Sequence, residues 1–174
     1  MNVRDIPLIK AHPGYCVLAS LEMVLRYYGY VEWNQYKLAH FFPTKTVEDE
    51  PEYEWGTHIE QDAINHFFAK NKIDLHETYI PINTIMDEYD LFEKCSSILE
   101  DSIIICGYNY CELFGGGKHG YNHASVITQS IDIDTVEIID PGPKDSGKKR
   151  VLFENLYQAI KIVPDGLWCI RRKC

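Results

Sequence analysis

A chain of 174 residues, 45% hydrophobic and 25% charged, is long enough to bury one core and too short to assume two, so a single domain over residues 1–174 is expected. With 17 basic against 26 acidic side chains the formal charge is −9, and the longest basic runs are the triplets 148–150 and 171–173, which gives no electrostatic footprint for nucleic acid. No apolar run reaches the ~18 residues that span a bilayer, and the first residues lack the apolar core of a signal peptide, so a cytoplasmic protein with no membrane partner is expected.

Residues 1–14 read as an extended lead-in. Pro13-Gly14 then breaks the chain, and from Cys16 the apolar positions 17, 18, 21, 24, 25 and 28 recur at the steps that line one face of a helix, with Gly29 as its stop. Residues 33–42 read as a short amphipathic helix ended by Pro43, and 44–56 as an acidic exposed loop. In that loop Glu48, Asp49, Glu50, Glu52 and Glu54 could draw in a cationic amine or simply be solvated. Thr57 with Glu60 has the spacing of a capping box, which predicts a third helix carrying Ile59, Ala63, Ile64, Phe67 and Phe68 on its apolar side. Residues 74–82 read as a strand and 85–99 as a fourth helix, with Ile85, Met86, Tyr89, Phe92 and Leu99 inward.

The period then changes. Residues 102–108 form a β-branched run of the kind buried on both faces of a sheet. Residues 111–120, with Gly115-Gly116-Gly117, read as a flexible flap. Two strands, 123–131 and 135–140, follow around a tight link at 132–134, and Pro141 closes the second. A polar link leads to a helix at 151–160 and a last strand at 166–170. Helices first and strands later indicate an α+β fold.

Cys16 falls in the first turn of its helix, where unpaired N–H groups and the helix dipole favour an anion and hence a thiolate. A buried cysteine acting as a small apolar residue is the other reading. If strands 123–131 and 135–140 pair antiparallel, His123 and Asp140 lie side by side at one edge of the sheet. Imidazole beside a thiol, with a carboxylate to orient the ring, is what nucleophilic catalysis by cysteine needs. The alternative is an ordinary histidine and a turn aspartate before proline. Cys106, Cys111, His119 and His123 could also be read as a zinc set, but their spacing fits structural zinc modules poorly, and no metal or other cofactor is expected. The six cysteines are irregularly spaced and read as free thiols.

The string from Cys16 to Tyr27-Tyr28-Gly29 resembles the nucleophile helix of the papain-like peptidases that trim double-glycine leader peptides during bacteriocin export. His123 with its β run, Val136 to Asp140-Pro141, and Val151 to Leu156 are similar to that family's His strand, Asp-Pro strand and closing helix. The resemblance covers most of the chain, least so at 44–56 and 74–101. It implies a papain-like fold, an N-terminal helical part packed on a C-terminal antiparallel sheet, with Cys16, His123 and Asp140 as catalytic residues. Two positions depart from the family pattern. Lys10 stands where it has an oxyanion-donating Gln, and Val17 where it has Gly. Lys10 or His12 then become candidate donors beside the Cys16 N–H.

The chain is also similar to stand-alone acyltransferase relatives, such as the enzyme of the butirosin pathway. They imply transfer from an acyl carrier protein or peptidyl thioester donor through a Cys16 thioester to an amine acceptor. Amide-bond formation in specialised-metabolite biosynthesis is therefore expected. The alternatives are leader-peptide hydrolysis and an inactive papain-like binding module.

Overall fold

The computed structural model describes residues 5–45, 56–60, 62–115, 121–142, 145–163 and 165–173. The first helix, α1 (Cys16–Tyr27), is followed by α2 (Gln35–Leu38) and a small antiparallel pair, β1 (Thr44–Lys45) with β2 (Gly56–Thr57). Then come α3 (Ala63–Lys70), β3 (Leu75–Pro81), α4 (Glu88–Ile98), β4 (Ile103–Asn109), α5 (Tyr110–Phe114), β5 (Asn122–Ser130), β6 (Thr135–Asp140), β7 (Gly147–Leu152), α6 (Phe153–Ile162) and β8 (Gly166–Arg172). Strands β3 to β8 form one sheet in the order β3-β8-β4-β5-β6-β7, and all neighbours are antiparallel. The fold is α+β.

The β-branched run of β4 explains its central place. Ile103 and Ile105 enter the core shared with α1 and α3, while Ile104, Cys106 and Tyr108 enter the core shared with α4 and α6. Successive side chains of a strand point to opposite faces, so a strand covered on both sides has to be apolar at every position. Helix α1 is buried from Leu18 to Leu25. Leu18, Leu21, Met23 and Leu25 are fully enclosed, each stabilising the packing of α1 by about 1.5–3 kcal/mol. Gly29, at φ +95°, ends the helix in the left-handed conformation that glycine adopts without a steric penalty.

Several elements differ from the sequence reading. Thr57 lies in β2 and caps no helix; α3 begins at Ala63, after Asp62 in a left-handed conformation. The second helix shrinks to four residues, with Asn34 Oδ1 accepting from Lys37 N at its start. Helix α4 starts at Glu88 behind an Asp87 cap, and Met86 and Tyr89, expected inward, are exposed. Residues 111–114 of the expected flap are helical, while Gly116 and Gly117 lie outside the described residues, as does the acidic stretch 48–54. The polar link before α6 is an edge strand, β7, which takes in Val151 and Leu152. Among the described residues no helix is long and apolar enough to cross a membrane.

Candidate active site

Helix α1 delivers Cys16 to the sheet through Ser20. Residues four apart share a helix face, and the fully buried Ser20 Oγ donates to the Ala124 carbonyl at 3.3 Å, so Cys16, one turn earlier, is set against the start of β5. Tyr15 offers no side-chain cap, which leaves the first-turn N–H groups of α1 for other acceptors. Pairing of β5 with β6 brings His123 beside Asp140, with Nε2 and Oδ1 2.7 Å apart. His123 also acts on the Cys16 thiol and lowers its pKa, and with Nε2 turned to the carboxylate, Nδ1 is the ring nitrogen left for sulfur. The three residues singled out from the sequence thus form one connected chain.

The charges follow from these contacts. Burial pushes the Cys16 thiol up, but the hydrogen bond and charge of His123, with the backbone N–H groups of Ala124 and Val17, hold it below its ordinary value. Burial pulls the His123 ring down, and the bonds to Asp140 and Cys16 outweigh it and carry the ring to about 9. The pair therefore favours thiolate beside imidazolium. Cys106 and Cys169 show the opposite case: burial, without a comparable cation, pushes both to about 12.

Asp140 is fully buried. Burial raises its carboxyl, but His123, Lys149 and the Gly142 N–H hold it below the usual carboxylate range. Oδ1 accepts from Gly142 N at 2.9 Å, and Oδ2 lies 2.7 Å from Lys149 Nζ. The sequence reading passed over Lys149 as part of a basic triplet. It missed also the aromatic wall around the imidazole, where Tyr108, Tyr110 and Tyr121 present their rings edge-on to His123 at 5.3–6.2 Å. Lys149 is roofed by Phe114 of α5, 4.4 Å from the ring centroid.

The backbones of Lys10 and His12 are tied to Gln35 of α2. Buried Gln35 donates to the Lys10 carbonyl at 3.0 Å and accepts from the His12 N–H at 2.9 Å, while its own N–H donates to Glu22 of α1 at 2.8 Å. Both side chains are exposed, and the His12 ring hydrogen-bonds the Tyr36 hydroxyl. Ala11 N donates to the Pro141 carbonyl at 2.9 Å, so the lead-in is stitched to the end of β6. Of the zinc candidates, Cys106 sits in the core under α6, with its thiol directed at the Ser125 carbonyl. Among the described residues no group of three metal-ligating side chains comes together, and His119 lies outside them.

Cys16 and His123 open on a cavity of about 830 Å³. Its walls include Gly107, Asp165 and Trp168 on the sheet side and His58 beside β2 on the other. The comparisons with known proteins bear on this arrangement through structure alone. The chain superimposes on a solved structure described as a C39-like peptidase from Bacillus anthracis, with a TM-score of 0.64 and 17% identity over 97% of this chain and 96% of that one. The fold is papain-like. No protein-family model and no curated protein matches the sequence. Within the papain-like frame, a cysteine at the start of a buried helix faces a histidine on the sheet, the placement expected from the sequence.

Proposed function

We propose that this chain is a cysteine-dependent acyl-transfer enzyme that forms amides from an acyl thioester and an amine. The observation that carries the reading is the alignment of Cys16, His123 and Asp140: His123 holds the Cys16 thiol below its ordinary value, and its Nε2 lies 2.7 Å from Asp140 Oδ1. In this reading the Cys16 thiolate attacks the carbonyl of a thioester, most simply on a carrier-protein arm, and the new C–S bond forms as the donor thiolate leaves with a proton from His123. An amine then attacks the Cys16 thioester. Its nitrogen forms the new C–N bond, the C–S bond breaks, and the proton passes to His123, restoring thiolate and imidazolium. Asp140 orients the ring throughout and is not consumed. The Cys16 N–H at the helix start is one donor for the developing oxyanion.

Two features support transfer over hydrolysis. A thioester is a more reactive donor than an amide, which suits a site with Lys10 in place of the family's Gln and with both candidate second donors, Lys10 and His12, exposed. The cavity wall also bears a carboxylate, Asp165, suited to an amine. The second reading is a leader-processing peptidase; the similar solved structure is described as a C39-like peptidase. Mass analysis of products from an acyl thioester, with and without amines and alongside double-glycine peptides, separates the two. Amine-dependent amide supports the first, and peptide cleavage without amide supports the second.

A further inference from the structure

Asp165 is a half-buried carboxylate on the wall of the cavity that holds Cys16 and His123. Space has been cleared for it. A Cβ on Gly107 would lie 2.2 Å from Asp165 Oδ2, and the Tyr79 hydroxyl reaches Asp165 Oδ1 at 3.4 Å. The Gly166 N–H supplies a second donor. An ionised carboxylate accepts about four hydrogen bonds, so capacity remains on the cavity side. Among the described residues no lysine or arginine forms an ion pair with Asp165. His58 lines the same cavity, and exposed Lys45 stands at the β1 rim. The indole of Trp168, tilted against Tyr79 at 5.6 Å, lines the same cavity. A carboxylate with an adjacent aromatic ring is the chemistry that recognises an organic ammonium.

We propose that Asp165 and Trp168 form an ammonium subsite that selects an acceptor carrying a second amine, a diamine, whose charged end is seated there while its neutral end attacks the Cys16 thioester. The inference rests on the acyl-transfer reading and adds the class of acceptor to it. Burial pushes the Asp165 carboxyl up to about 6, and a bound ammonium drives it to the ionised form.

The test is protection of Cys16 from alkylation by iodoacetamide, followed by peptide mass analysis, with putrescine as the cationic probe and butanediol as its neutral counterpart. Putrescine should protect Cys16 at lower concentration than butanediol, and Asp165→Asn should weaken putrescine protection about tenfold, the effect of losing one charge-assisted hydrogen bond. Gly107→Ala, which displaces the same carboxylate, should act in the same direction. Equal protection by putrescine in wild type and Asp165→Asn, or none in wild type, overturns the subsite. In the thioester assay, undiminished amide formation from putrescine by Asp165→Asn overturns the subsite and leaves acyl transfer standing. Asp165-dependent protection with hydrolysis products alone removes acyl transfer to amines and leaves the subsite standing.

Discussion

Lys149 Nζ lies 2.7 Å from Asp140 Oδ2 while His123 Nε2 lies 2.7 Å from Asp140 Oδ1, so one fully buried carboxylate is held between two cations. The lysine fixes the carboxylate, and the carboxylate fixes the imidazole. Removing one partner of a buried pair leaves the other charge undercompensated. Lys149→Met should therefore lower stability by about 1.5–3 kcal/mol, read from urea unfolding. Lys148→Met, whose lysine is half exposed and 3.5 Å from Glu137, should cost less than about 1 kcal/mol.

The pH dependence follows from the two shifted groups. The thiolate forms below the ordinary thiol range, and the imidazolium is lost near pH 9, so Cys16 acylation should be maximal between those limits. The same shift sets a stability window. His123 is raised from 6.5 to about 9, so its contribution is complete below about pH 6.5 and is lost as pH rises through 9. The gap in urea midpoint between wild type and His123→Asn should be larger at pH 6 than at pH 10.

Glu77 provides a second, independent titration. Its carboxyl is buried, one oxygen has no partner among the described residues, and burial with the nearby Asp62 pushes it up to about 7. A carboxyl raised in the folded state stabilises fully below about pH 4.5 and loses that contribution as pH rises through 7. Glu77→Gln removes the buried charge and keeps a group for Asn65. It should raise stability relative to wild type by about 1–3 kcal/mol at pH 8 and have less effect at pH 5, by thermal or urea unfolding.

Catalytic substitutions should be unequal. Cys16→Ala should abolish turnover and His123→Ala nearly so. Asp140→Asn should retain measurable activity, reduced by about 10²–10⁴-fold, because the carboxylate positions the ring and forms no bond to substrate. Initial rates with a soluble acyl thioester provide the measurement.

What the sequence disclosed depended on periodicity. Helix α1, the doubly buried β4 and the β5 and β6 pair carry strong patterns, and their ends place Cys16, His123 and Asp140. Strand β7 was illegible because Lys148, Lys149 and Arg150 lie on a sheet edge, where charge is common and the apolar signal is thin. The capping-box spacing of Thr57 and Glu60 lost to pairing of Thr57 with Thr44, a tertiary contact that local sequence does not encode. Lys149, Gln35 and Asp165 act through partners 9 to 86 positions away, so no local signal could have marked them.

In the proposed reaction Cys16, activated by His123, carries the acyl group. Intact-protein and peptide mass spectrometry after brief mixing with an acyl thioester at neutral pH tests it most directly. One acyl adduct is expected on the Cys16 peptide, discharged faster by a diamine than by water and lost in Cys16→Ala. An adduct that persists in Cys16→Ala, or no acylation of Cys16 in the folded wild-type protein, would contradict it.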